Sequence, residues 1–120
     1  MTNTEIAQSF LTFVIAGKIR EAFDRFIAPE FIHHNQYFKG DRQSLQQAMQ
    51  EDYNDNPNKS IEIKKVYTDK ETVITHSLVL REHLEIAVIH IFRFEGNKVV
   101  ESWDLGQLID KDSPNQNGLF

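Results

Sequence analysis

The sequence predicts an α+β fold, in which three N-terminal helices cover one face of an antiparallel β-sheet. Apolar residues repeat at the helical spacing of about 3.6 in the first half of the chain, and at the strand spacing of two in the second half. A polar breaker at 54–58, which contains Pro57, separates these halves. The length of 120 residues fits one domain over 1–120.

Capping and breaking residues bound the expected helices. Thr2 and Glu5 have the spacing of a capping box, so the first helix begins there. A second, short amphipathic helix begins at Ile19 and is ended by Pro29, because the residue before a proline avoids helical geometry. Asp41 is the expected N-cap of the third helix. The apolar positions of that helix are Leu45, Ala48, Met49 and Tyr53.

Four strands are expected after the breaker, at 61–67, 72–80, 84–94 and 98–109. The first is expected to be irregular at Lys64-Lys65, and the last two are joined by a hairpin turn at 95–97. A short extended segment at 30–35 precedes the third helix. The apolar Leu119 and Phe120 predict that the end of the polar tail is ordered, against the helices or a partner chain.

Composition excludes several classes of function. Asp and Glu outnumber Lys and Arg by 18 to 13, and no basic patch is present, so we expect no nucleic-acid partner. No apolar stretch reaches the ~18–20 residues that span a bilayer, and the N-terminus lacks the basic region of a secretory signal. We therefore expect a cytoplasmic protein with no membrane contact. The absence of cysteine excludes disulfides, thiolate nucleophiles and cysteine-bound metals.

The strands 73–80 and 86–94 are apolar on both faces, which predicts a homodimer. One face can meet the helices, and the other needs a second cover that a symmetric partner provides most simply. The residues assigned to this outer face are Val73, Val79, Ile89 and Ile91.

Polar residues inside apolar strands are the candidate functional groups, because an unpaired polar group is costly to bury. By strand alternation, His76, His90 and Asp104 converge on one apolar cavity if their faces are the concave ones. A carboxylate in such a cavity has its pKa raised toward neutrality, where it can act as a general acid or base. The alternative is that each histidine is structural and bonded to the backbone or to a surface acid.

We expect no metal site and no cofactor. His33 and His34 are adjacent in an extended segment and point to opposite faces, so they cannot ligate one ion. No helical pair of histidines, or of histidine and glutamate, has ligand spacing, and no Gly-x-Ser-x-Gly elbow is present.

Two segments together resemble the SnoaL-like polyketide cyclase family of the nuclear transport factor two-like superfamily. The first is 31–38, with the sequence FIHHNQYF, and the second is 91–104, with the sequence IFRFEGNKVVESWD. Gln107 and the ending Asn117-Gly118-Leu119-Phe120 are also similar. The resemblance implies a cone, or α+β barrel, in which a bent sheet wraps around helices, with a dimer on the outer face of the sheet.

The resemblance also implies roles for particular residues. Asp104 matches the acid/base carboxylate, His34 and Asn35 match a His-Asn pair, and His76 matches the first histidine of a His-x-His. Departures from the family pattern are Leu78 for the second of those histidines, His90 for an aspartate, and Ser102 for a histidine. The catalytic candidates are therefore Asp104, His34 and His76. The candidates for ligand contact are Asn35, His90, Trp103, Phe92, Tyr37 and Gln107.

Two classes of function remain open. One is a cofactor-free acid/base enzyme that acts on a small apolar carbonyl compound, by aldol-type cyclisation or isomerisation. The other is a non-catalytic module that binds a small ligand or a partner chain. Epoxide hydrolysis is disfavoured, because Arg93 has the wrong strand parity to face the cavity. Chemistry of the ketosteroid isomerase type would need Tyr37 or Tyr53 and a second buried acid, which the sequence does not show.

Overall fold

A computed structural model describes all 120 residues and confirms the α+β fold. Three helices pack against a five-stranded curled sheet. The helices are α1 Asn3–Ile15, α2 Ile19–Phe26 and α3 Arg42–Asp55. The strands are β1 Ile27–His33, β2 Ser60–Asp69, β3 Thr72–Arg81, β4 Leu84–Glu95 and β5 Lys98–Leu108.

The helix boundaries follow from local chemistry. The Thr2 side chain accepts a hydrogen bond from the Glu5 amide while the Glu5 carboxylate accepts one from the Thr2 amide, which confirms the capping box. Asp41 caps α3 by accepting from the Ser44 amide. After α1 the chain turns at Gly17, whose φ is +85°, and the Tyr53 ring of α3 occupies the space that a Cβ would need.

One helix end was predicted wrongly. The helix α2 ends at Phe26, and Pro29 lies inside β1 rather than ending the helix. The extended segment expected at 30–35 coincides with the second half of β1 as far as His33, and the strand begins earlier, at Ile27. This strand lies at the edge of the sheet and pairs in parallel with β5 on one side only. Pro29 is tolerated there, because an edge strand does not need every backbone N–H group for pairing.

The strand order of the sheet is β1-β5-β4-β3-β2. The meander of four antiparallel strands is as predicted, and β1 adds a fifth strand at the edge. The ladder shifts register between Ile63 and Lys65, where an irregularity was expected, and again opposite Arg93 and Phe94, where Val100 is the extra residue of β5. Such bulges bend a sheet and increase its twist, so they help to curl it around the helices.

The inner face of the sheet differs from the prediction on β3. Val73, Thr75 and Ser77 are buried against the helices, and Val79 follows on the same face. His76 therefore lies on the outer face. The assignment of Val73 and Val79 to the outer face was wrong, whereas Ile89 and Ile91 of β4 do lie there, opposite His76 and Ile74.

The C-terminal Phe120 packs on the outer face of the sheet, not against the helices. Its ring centroid lies 4.9 Å from that of His76, and the Lys64 ammonium lies 5.5 Å from the centre of the Phe120 ring. None of the three helices is long and apolar enough to cross a bilayer.

Candidate functional site

A cavity of about 390 Å³ lies between α1, α3 and the inner face of the sheet. Fourteen of its twenty lining residues are hydrophobic, so the cavity is mainly apolar. Four aromatic rings contribute to it, namely Phe10, Phe31, Phe38 and Phe92. Its polar lining residues are Asn35, Asp52, Arg81, His90, Ser102 and Asp104.

Strand register places the carboxylate of Asp104 and the imidazole of His90 side by side. In the antiparallel ladder His90 lies opposite Asp104 on one neighbouring strand and opposite Thr75 on the other. Directly paired residues project to the same face, so these three side chains form one row across the inner face. The row brings an acid and an imidazole together within an apolar cavity.

The loop after β1 supplies the hydrogen bond that the protein makes to Asp104. Asn35 donates from Nδ2 to Asp104 Oδ2 at 3.1 Å, and its own Oδ1 accepts from the Tyr37 amide at 2.9 Å. The two bonds set which way the Asn35 amide faces. Asn35 therefore orients Asp104 as well as lining the cavity.

His33 holds this loop in place. It is buried at the end of β1, and its Nδ1 accepts a hydrogen bond from the Asn35 amide at 3.1 Å. Because Nδ1 is an acceptor, the Nε2–H group of the neutral ring donates to the Lys39 carbonyl at 2.7 Å. No role for His33 was expected from the sequence, and the structure shows it as the residue that positions Asn35.

Burial controls the charge of His90. Loss of solvation lowers the pKa of His90 below its ordinary 6.5, and the negative charge of Asp104 offsets part of this effect. The ring stacks on Phe92, with 5.8 Å between centroids and 8° between planes, and its Nδ1 is buried without a hydrogen-bond partner. His90 is therefore neutral near pH 7 and contributes dipoles, not a charge, beside Asp104.

A second polar group lines the cavity away from Asp104. Asp52 of α3 accepts a hydrogen bond from Arg81 Nη2 at 2.9 Å and also pairs with the ammonium of Lys59. Partial burial acts to raise the pKa of Asp52, but the bonds and charges of Lys59 and Arg81 outweigh it and the pKa is lowered. Two cations thus share one carboxylate.

His34 and His76, two of the three catalytic candidates, are not in the cavity. His34 stacks on Trp103 outside the sheet, with 4.7 Å between centroids, and bonds through Nε2 to Glu101 Oε2 at 2.7 Å. That bond is the main cause of the lowered pKa of Glu101. His76 lies under Phe120 on the outer face. The predicted convergence of His76 with His90 and Asp104 is therefore wrong, and the placement of His34 at the cavity is also wrong.

The six candidates for ligand contact also fall into two groups, three that line the cavity and three that lie outside it. Asn35, His90 and Phe92 line the cavity, as the sequence analysis expected. Trp103 and Gln107 lie on the outer face of β5, because strand alternation puts them opposite to Asp104. Tyr37 is 78% exposed and does not line the cavity. As expected from its parity, Arg93 faces outward, where it bonds Glu101 at 2.9 Å.

Asp52 and Arg81 were missed by the sequence analysis. The apolar positions Leu45, Ala48 and Met49 continue at helical spacing to Asp52, so the pattern did contain a signal for it. Arg81 follows Val79 at strand spacing, and the wrong face had been assigned to that strand. No three of the histidine, aspartate and glutamate side chains lie close enough to form a metal site.

Comparison with known proteins identifies the fold. No protein-family model matches the chain, and no curated protein matches it. An NTF2-like protein of unknown function from Cytophaga hutchinsonii has a TM-score of 0.74 and 10% identity over 89% of this chain and 91% of that chain. A SnoaL-like polyketide cyclase from Agrobacterium tumefaciens has a TM-score of 0.75 and 14% identity over 89% and 92%.

A third structure, a cystatin-fold protein from Novosphingobium aromaticivorans, has a TM-score of 0.78 and 16% identity, covering 88% of this chain and 98% of its own. The chain therefore has the NTF2-like, cystatin-type fold that the resemblance predicted. At such low identity this likeness concerns the fold, and function has to be argued from the cavity.

Proposed function

We propose that the cavity binds a small apolar carbonyl compound and that Asp104 transfers a proton to and from it without a cofactor. The observation that carries this proposal is the environment of Asp104. It is a carboxylate in a mainly apolar cavity, bonded to the protein by the Asn35 amide and flanked by the neutral His90. A positioned carboxylate of this kind suits abstraction of a proton next to a carbonyl group.

The proton balance of the proposed reaction is simple. Asp104 takes the proton from the carbon next to the carbonyl, and negative charge develops on the carbonyl oxygen. A hydrogen-bond donor aimed at that oxygen stabilises the charge, and the neutral His90 has one N–H to supply. The enolate then adds to a second carbonyl carbon, giving an aldol-type ring closure, or is reprotonated at another carbon, giving an isomer. In both cases Asp104 returns the proton it took.

The first prediction tests this role with the variant Asp104→Asn. Hydrogen–deuterium exchange next to the carbonyl of 2-tetralone, followed by NMR in D2O, reports proton abstraction without knowledge of the natural substrate. The variant should lower the catalysed rate by ~10²–10⁴, the usual worth of a general base, because the amide cannot take the proton. Binding of 2-tetralone should persist, since Asn keeps the size of the side chain and an oxygen that can accept from Asn35.

Asp69→Asn is the matched control, because Asp69 is an exposed acid at the end of β2. It should exchange at the wild-type rate. An Asp104→Asn variant that exchanges as fast as the wild type would contradict the proposal.

Non-catalytic ligand binding is the second candidate, and a specific observation favours it. Neither His34 nor His76 accompanies Asp104 in the cavity, so the acid has fewer polar partners than the resemblance implied. Binding of 2-tetralone with no catalysed exchange in the wild type would select this candidate.

A further inference from the structure

We propose that Arg81 binds an anionic group of the ligand, so that the cavity selects carboxylate-bearing apolar compounds. This inference rests on the proposed function, because it names the class of ligand that the same cavity takes. It starts from the position of Arg81, which lines the cavity from the inner face of β3, and whose side chain is 29% exposed.

The hydrogen bonding of Arg81 leaves most of its donors free. A guanidinium has five N–H groups in a planar fork that matches a carboxylate. Here Nη2 donates to Asp52 at 2.9 Å, and the other donors make no hydrogen bond within the protein. The fork can therefore donate hydrogen bonds to a second carboxylate at the cavity.

Charge balance around Asp52 favours an anion. Lys59 also pairs with Asp52, and its side chain is only 8% exposed. Two positive charges thus face one negative charge, so one positive charge is in excess at this part of the cavity. Because Lys59 continues to neutralise Asp52, Arg81 can turn toward a ligand without leaving a partly buried carboxylate unpaired.

Asp104 sets the orientation of such a ligand. Arg81 lies six residues along β3 from Thr75, the cross-strand neighbour of His90, and six residues at ~3.3 Å each separate the two backbone positions by roughly 20 Å. The charge of Asp104 repels an anion, so the carboxylate of the ligand lies toward Arg81 and its neutral carbonyl toward Asp104. The apolar lining between them accommodates the hydrocarbon part.

The test compares 2-naphthoate with its neutral methyl ester at pH 7.5, by isothermal titration calorimetry on the full chain. We expect the wild type to bind the anion about tenfold or more tightly than the ester, which is the range for a charge-assisted hydrogen bond. The preference should shrink to less than about twofold in Arg81→Met. It should persist in Lys65→Met, the matched control, which removes the same charge from the outer face of β2, opposite His76, and no residue that lines the cavity.

Three results of these titrations would overturn the inference. An ester that binds the wild type as tightly as the anion overturns the inference while leaving the proposed function in place, and this comparison needs no variant to fold. An equal loss of preference in Lys65→Met and Arg81→Met also overturns it, because a general field and not contact with Arg81 would then be responsible. Binding of neither compound overturns this inference, and the 2-tetralone exchange experiment decides the proposed function separately.

Discussion

The buried imidazole of His90 makes the free energy of unfolding depend on pH, and a single variant can isolate this contribution from those of the other titratable groups. In the unfolded chain His90 titrates near its ordinary 6.5, while burial lowers its pKa in the folded protein. As the pH falls below 6.5, the unfolded state therefore binds a proton that the folded state does not. Stability is complete above that pH and is lost below it, by at most ~1.4 kcal/mol per pH unit.

The variant His90→Gln removes this titration. Chemical denaturation at pH 7.5 and pH 5.5 should show a smaller loss of unfolding free energy for the variant than for the wild type. Asp104 of β5 is the charged group that faces His90, and it is unchanged in both proteins. His83→Gln is the control, because the His83 side chain is 87% exposed, and it should keep the wild-type slope. Equal slopes for all three proteins would show that His90 does not carry the effect.

At the scale of elements, much of the fold could be predicted from the sequence. The capping box, the Asp41 cap, the irregularity in β2 and the four-stranded meander each have a local chemical signal, and each was confirmed. The parallel pairing of β1 with β5 has no local signal in the sequence, because it depends on contacts between residues about seventy positions apart.

The length of the turn between β3 and β4 decides which face His76 occupies. Strand bounds of 72–80 and 84–94 leave three residues for the hairpin, which pairs even-numbered positions with even-numbered positions and puts His76 on the face of His90. In the structure Arg81 pairs with Leu84 across a turn of only two residues. A slip of one residue moves every side chain of a strand to the other face, so the shorter turn reverses the assignment.

Hydrophobicity could not correct this error. The outward set of β3, with Ile74, Leu78 and Leu80, is more apolar than the inward set, which includes the buried Thr75 and Ser77. Because the wrong face was assigned to β3, Arg81 was not predicted to line the cavity. On β4 and β5 the faces were predicted correctly, because Phe92 and Phe94 mark the buried face of β4 and Asp104 is read in register with it.

The contact of Phe120 with the sheet is a further prediction at this scale. The Phe120 ring contacts His76 and the Lys64 ammonium, and it is 39% exposed. Phe120→Ala should lower the free energy of unfolding by ~0.5–1.5 kcal/mol, the range for aromatic pairs beyond simple burial. A double-mutant cycle with His76→Ala should show coupling between the two rings.

Tyr37→Ala is the matched control for Phe120→Ala, because it removes an aromatic ring that is almost fully in solvent. It should change stability little. A melting curve for Phe120→Ala that overlays the wild type would mean that the end of the chain contributes nothing to folding.

For the whole molecule, the curled sheet separates two surfaces with different chemistry. Its inner face carries Asp104, His90 and Arg81 and encloses the cavity with the helices. Its outer face carries an apolar strip, on which Phe120 packs at His76 and His34 packs at Trp103. The apolar residues of this strip are Ile74, Leu78, Leu80, Ile89, Ile91, Trp103 and Leu105. Cavity and strip use opposite sides of the same strands, so association through the strip would leave the cavity accessible.

The last prediction is that the chain forms a homodimer through this outer strip. Leu105 is 69% exposed and lies opposite Ile89. In the next row Ile91 lies between Ile74 and Trp103, so apolar side chains run across three strands. Monomers rarely expose apolar patches of several hundred Å², and a stable symmetric interface buries more than ~1,000 Å² in total. Light scattering at micromolar concentration should give about twice the 14.0 kDa of one chain.

The variant Leu105→Lys should shift the protein to monomer, because it places a charge in each half of an apolar interface, where the charge loses its solvation. Leu84→Lys is the control, since Leu84 is also exposed but lies at the β3–β4 turn, at the end of the sheet. It should remain dimeric. Binding of 2-tetralone should be the same in both variants, because neither residue lines the cavity. A wild-type mass of 14.0 kDa would mean that the strip tolerates water and that the monomer is the working form.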